Sequence, residues 1–222
     1  MSSVEVKHDA VPERPYLRGW SHMAAAIVAV VLCPIVILTS SSNRGAVALY
    51  AGAVIGLFAI SGSYHCLFWG TKARGVFRRL DHAMIFLVIA ATYTPIVLAT
   101  LEPSTQKIVL GAVWLGAVGG TITQVLWIHA PRWLTVGLYM MVGWAIVPGI
   151  SQLSRALTGA GLLLLVLGGV LHTVGGLVYA VKIPNPSLRW FGFHEVFHLI
   201  VIAAIAAHYA VIVFFLASPA AA

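Results

Sequence analysis

Long apolar runs alternate with short polar breaks along almost the whole chain. Seven runs are long enough to cross a bilayer as a helix, which takes about 20 residues. They cover residues 20–39, 46–69, 81–101, 107–127, 133–149, 158–181 and 194–217. The breaks carry turn chemistry: residues 40–45 are polar, residues 102–106 contain Pro103, and residues 182–193 contain Pro184 and Pro186. The fifth run is short and ends at Pro148-Gly149. No linker is long enough to separate a pair of domains, and no internal repeat stands out. The pattern therefore predicts an all-α, seven-helix transmembrane domain over residues 20–217, with a polar tail at 1–19 and a short one at 218–222.

Composition agrees with the pattern. Of 222 residues, 60% are hydrophobic and 9% charged, and the mean hydropathy is +0.97. A soluble domain carries about a quarter charged residues, so this apolar excess calls for lipid as solvent. No charged n-region, apolar core and small-residue cleavage site follow one another near the start, so a cleaved signal peptide is not expected. Cys33 and Cys66 fall inside apolar runs without a C-x-x-C pattern and read as ordinary buried thiols. Gly52-x-x-x-Gly56 and Gly116-x-x-x-Gly120 suit close helix packing and by themselves assign no function or oligomeric state.

Thirteen Lys and Arg stand against six Asp and Glu. These cations sit in loops between spans, which speaks for membrane orientation and against nucleic acid as a partner. Lys7, Arg14, Arg18, Lys72, Arg74, Arg78, Arg79, Arg132, Lys182 and Arg189 fall on one side; Arg44, Lys107 and Arg155 fall on the other. The bias predicts a cytoplasmic amino terminus and an external carboxyl terminus, with the protein in the cell membrane (the inner one, in a two-membrane bacterium).

Ionisable groups at membrane depth are costly and therefore informative. Beyond the amino tail the only acids are Asp81, Glu102 and Glu195. Glu102 lies in an outer loop, whereas Asp81 and Glu195 begin spans beside histidines. The seventh run opens His194-Glu195-Val196-Phe197-His198, which sets two imidazoles one turn apart on one helix face. That string also satisfies H-E-x-x-H, in which the glutamate acts as general base of a zinc protease. The bland alternative is two interfacial histidines satisfied by water or backbone. Ser61 and His65 repeat the one-turn spacing near the inner end of the second run, and Asp81-His82 open the third. Chain direction alone puts Ser61, His65, Asp81, His194 and His198 near one membrane face. Three histidines and a water can form an open catalytic zinc shell, with a carboxylate and a hydroxyl to orient the water.

The remaining histidines read differently. His22 either lines the same cavity or, the favoured reading, sits at the interface. His82 follows Asp81 and points about 100° away from it, toward packing or a supporting role. His172 and His208 lie deeper, as hydrogen-bonded helix contacts. His8 and His129 read as solvated.

Three separated motifs resemble one family: Ser61-x-x-x-His65; Arg79-Leu80-Asp81-His82-Ala83-Met84-Ile85-Phe86 leading to Ala91-Thr92-Tyr93-Thr94-Pro95; and Phe191-Gly192-Phe193-His194-Glu195-Val196-Phe197-His198 with His208 beyond. They look like the hemolysin III family, the bacterial branch of the progestin and adipoQ receptor superfamily, to which the adiponectin receptors belong. The resemblance implies seven helices with a cytoplasmic amino terminus. It also implies one zinc ion on His65, His194 and His198, with Ser61 and Asp81 beside the metal. His22, His82, Glu195 and His208 are the expected supporting residues. The family's first motif often places an acid and an asparagine before the first-span histidine. Here Arg14-Pro15-Tyr16-Leu17-Arg18-Gly19-Trp20-Ser21-His22 keeps only the histidine.

Related receptors can carry glutamine where Glu195 stands, and Glu195 lies about 100° off the ligand face. Asp81 is thus the better group to handle a proton. The superfamily is similar to alkaline ceramidases, so one expectation is a zinc-dependent hydrolase of lipid amides or esters, with membrane lipids as partners and a lipid as substrate or ligand. The alternatives are a sensor or receptor with structural zinc, a pore-forming cytolysin, and an H-E-x-x-H membrane protease.

Overall fold

A computed structural model of the protein describes residues 14–41, 43–127 and 129–216. The tail at 1–13 with His8, residue 217 and the expected tail at 218–222 lie outside the described residues. Eight α-helices follow in order: α1 (Trp20–Thr39), α2 (Arg44–Cys66), α3 (Thr71–Thr100), α4 (Pro103–Leu126), α5 (Arg132–Gly143), α6 (Ile150–Ala156), α7 (Gly159–Val181) and α8 (Phe193–Val211). A short 3-10 turn, Val147–Gly149, joins α5 to α6, and the turn Ile212–Leu216 after α8 widens to π geometry. Seven segments are long and apolar enough to cross a membrane, the fifth being Arg132–Ala156. The chain is a multi-pass helical membrane protein.

Two boundaries differ most from the pattern read off the chain. The third helix begins at Thr71, well before Asp81. Its first turns carry Lys72, Arg74, Arg78 and Arg79, which helix geometry accommodates although they contribute no apolar signal. The fifth span does not stop at Pro148-Gly149. Pro148 sits in the first turn of a new helical piece, where its missing N–H costs nothing. The break this leaves at membrane depth is satisfied by Tyr93 of α3. The Tyr93 hydroxyl donates to the Gly143 carbonyl at 2.6 Å and accepts from the Ile146 N–H at 3.2 Å. Lipid would supply neither partner.

The helices meet through small residues. On α1 the buried positions are His22, Ala26, Ala29, Cys33 and Val36, one stripe at alternating spacings of four and three, and this stripe faces α2. Where α1 crosses α2, a Cβ on Gly62 would stand 2.9 Å from the Met23 backbone. That crossing sets His22 against the inner end of α2. On α7, Gly161, Gly168 and Gly175 recur every seven residues, and Phe215, His208 and Ile200 of the last span pack over them. Of the small-residue pairs noted in the sequence, Gly120 lies under the Phe86 ring and Gly116 against Val142, whereas Gly52 has nothing within 4 Å.

Gly62→Ala is expected to cost about 1–3 kcal/mol through overpacking, seen as a lower thermal midpoint in detergent. Gly52→Ala should leave the midpoint where it is or raise it slightly, since no atom opposes the new methyl.

Candidate metal centre

His65 ends the last turn of α2, and His194 and His198 occupy the first turns of α8. The tertiary fold brings these turns together, and one ring nitrogen from each histidine lies within 4.8 Å of the others. Nε2 of His65 and Nε2 of His194 stand 3.2 Å apart. A tetrahedral shell with Zn–N distances of about 2.0–2.1 Å sets neighbouring nitrogens about 3.3 Å apart. That pair therefore has the spacing of two ligands on one ion, and the third nitrogen completes the group within the 4.8 Å limit. His65 and His198 are buried and His194 half-buried, so the cluster is a costly thing to keep without a ligand. The donor set of three imidazoles is compatible with zinc.

Asp81 and Ser61 stand beside the cluster. Oδ2 of Asp81 is 3.8 Å from Nε2 of His65, too long for a hydrogen bond but within reach of anything held among the imidazoles. The Ser61 hydroxyl, one turn before His65, lies within hydrogen-bonding reach of the Asp81 side chain. His22 lies flat on His198, with ring centroids 3.7 Å apart and planes within 6°. Neither nitrogen of His22 has a hydrogen-bonding partner, nor does Nδ1 of His198. His22 is buried and lines the cavity described below, not the interface position that the sequence favoured. His82 turns from the cluster: its Nδ1 meets the Arg78 carbonyl at 2.7 Å and its Nε2 the Tyr179 hydroxyl at 3.4 Å. His129 is exposed.

Glu195 does not face the cluster. Its carboxylate is ion-paired with Arg18, and its Oε2 accepts from the Gly192 N–H at 2.7 Å, which caps α8. Buried and bonded on both oxygens, it is structural. His208 is likewise distant from the metal site. It lies deeper beside His172, with ring centroids 5.5 Å apart.

Residues 14–19 form a strap across the ends of the histidine-bearing helices, which the sequence did not announce. Arg14 Nη1 donates to the His65 carbonyl at 3.3 Å, and the Cys66 thiol donates to the Arg18 carbonyl at 3.6 Å. Tyr16 and Leu17 donate their N–H groups to the carbonyls of Arg189 and Trp190, in the loop before α8. Gly19 adopts φ +85°, and any Cβ there would run into His65, so only glycine lets the strap pass. A glycine just before a helix was its one visible trace.

From the cluster a cavity runs into the bundle between α3, α5, α7 and α8. It offers about 110 Å³ to the centre of a water-sized sphere, and Ser61, Asp81 and His194 stand at one end with His172 and His208 on its wall. Most of the intervening surface is apolar, with Ile85, Ile89, Phe197 and Val201 among its walls.

A family profile described as haemolysin-III related matches residues 11–209. Hemolysin-3 of Bacillus cereus is 32% identical over 179 residues, covering 78% of this chain and 81% of that protein. The Hemolysin-3 homolog of Bacillus subtilis (strain 168) is 33% identical over 123 residues, 55% of this chain and 58% of its own length. The adiponectin receptor protein of Drosophila melanogaster is 30% identical over 186 residues, 73% of this chain and 40% of the receptor.

Glu195→Gln removes a charge-assisted contact and should cost about 2 kcal/mol of stability, measured by thermal unfolding in detergent. Its bound metal, measured by atomic emission, should equal that of the unaltered protein.

Proposed function

The chain belongs to the haemolysin-III-related family, within the progestin and adipoQ receptor superfamily, and from that premise we propose that it is a zinc-dependent hydrolase of lipid amides or esters. One observation carries the reading: three imidazoles, a carboxylate and a hydroxyl converge at the end of a mostly apolar cavity. His65, His194 and His198 would hold zinc, which would supply Lewis acidity to acidify a water and polarise a carbonyl. Asp81 takes the proton that water loses on attacking the carbonyl and returns it to the departing amine or alcohol. Ser61, from within hydrogen-bonding reach, keeps the Asp81 carboxyl aimed at the imidazoles. The apolar walls exclude bulk water and receive the hydrocarbon portion of the substrate. The Lys and Arg count favours a cytoplasmic position for this end of the bundle, and membrane lipids would then be the source of substrate.

A second reading, a receptor or sensor with structural zinc, draws on the relative named an adiponectin receptor protein and on the way one ion would staple α2 to α8. The name Hemolysin-3 suggests pore formation. A water-filled pore would want polar residues along its length, whereas the wall here is polar mainly at its two histidine-bearing ends. Protease action through Glu195 is disfavoured by the ion pair and the cap that already occupy its carboxylate.

Metal analysis of the purified protein should find about one zinc per chain, lost in His194→Ala. Asp81→Asn should keep its zinc and lose about 10²–10⁴-fold in turnover of a lipid amide or ester. Equal zinc in the unaltered protein and His194→Ala would sink the site; zinc without turnover of any such lipid would favour the receptor reading.

A further inference from the structure

The deep end of the cavity carries a second polar feature that the hydrolytic site does not use. His172 of α7 and His208 of α8 face each other there, their rings 18° from parallel. Each ring spends one nitrogen on a backbone carbonyl: Nδ1 of His172 on Gly168 at 2.9 Å, and Nε2 of His208 on Leu165 at 3.2 Å. A carbonyl only accepts, so that nitrogen must carry the proton. In a neutral imidazole the other nitrogen is then a bare acceptor. Among the described residues neither second nitrogen has a hydrogen bond to protein, and both rings line the cavity.

The place is built rather than accidental. Gly168 is a glycine against the His208 ring, where a Cβ would collide with it. The other polar groups nearby are already engaged. Thr173 donates to the Gly169 carbonyl at 2.9 Å and accepts from the Trp144 indole at 3.2 Å. Thr92 donates to Val88 at 2.7 Å, and Tyr93 to Gly143. What is left to a ligand is a pair of acceptors in hydrocarbon surroundings, where an unmet acceptor is costly. The matching ligand group is a hydrogen-bond donor with no charge.

Ten residues of α8 separate His198 from His208, roughly 15 Å of helix. A chain whose head lies at the three histidines reaches the second pair only at mid-chain. We propose that the cavity selects lipids whose acyl chain bears a hydroxyl group about 15 Å from the head, and that His172 and His208 accept its hydrogen bond. The inference rests on the hydrolase reading only in placing the polar head at the metal centre.

The test compares ricinoleic acid with oleic acid, which differ by one mid-chain hydroxyl, in equilibrium binding to the full chain in detergent. Ricinoleic acid should bind roughly fivefold more tightly, the yield of one net hydrogen bond. The preference should vanish in His172→Leu and in His208→Leu, with oleic acid bound at least as well as before, and return partially in His208→Gln. Equal binding of the two acids, binding of neither, or a preference untouched by both leucine variants would overturn the proposal. If the leucine variants do not fold, the comparison on the unaltered chain decides it alone. A hydroxyl preference without any lipid turnover would count against the hydrolase alone, and turnover without the preference against the selectivity alone.

Discussion

Hydrocarbon offers a polar group nothing to bond to, so each one carried into this bundle must find its partner in the protein or lack one for a reason. The partners can be traced. Thr92, Thr94 and Thr100 turn back to carbonyls one turn earlier, Gln124 donates to Thr135, and Tyr93 repairs the break after α5. Among the described residues five fully enclosed side-chain atoms, out of reach even of the cavity, have no partner, and three of them belong to His22 and His198. The deficit is thus concentrated at the candidate metal centre, where a bound ion and the species it held would change the accounting.

Much of this was readable in the chain because it is local. A helix fixes which residues share a face, so Ser61 with His65 and His194 with His198 were visible as pairs. Chain direction then placed the pairs and Asp81 at one end. The meeting of α2 with α8 is not local. It depends on Gly62 admitting Met23 and on glycines every seven residues along α7, whose spacing becomes meaningful only once the partner helix is known. Glu195 shows the opposite failure. The H-E-x-x-H string is complete in the sequence, yet Arg18, 177 positions earlier, takes the carboxylate out of the chemistry. The run of basic residues from Lys72 to Arg79 hid the start of α3 because hydropathy cannot see a helix that lies in polar surroundings.

The histidines show how position decides the work of one side chain. His82 props Tyr179, His22 pads a ligand ring, and His172 and His208 spend one nitrogen on backbone and keep the other. Among the described residues only His65, His194 and His198 gather their nitrogens around a common point. The cavity joins the two groups in one continuous space.

The strap of residues 14–19 has a consequence for how the protein is made. Its contacts join the first span to the loop before the last, so the bundle closes into a ring only when α8 arrives. A nascent chain stopped after six spans would carry His22, His65 and Asp81 but have neither of the remaining imidazoles and no mate for Arg18. Synthesis order therefore keeps the three imidazoles apart until α8 has been made. The ion pair between Arg18 and Glu195 then ties the strap to the start of α8.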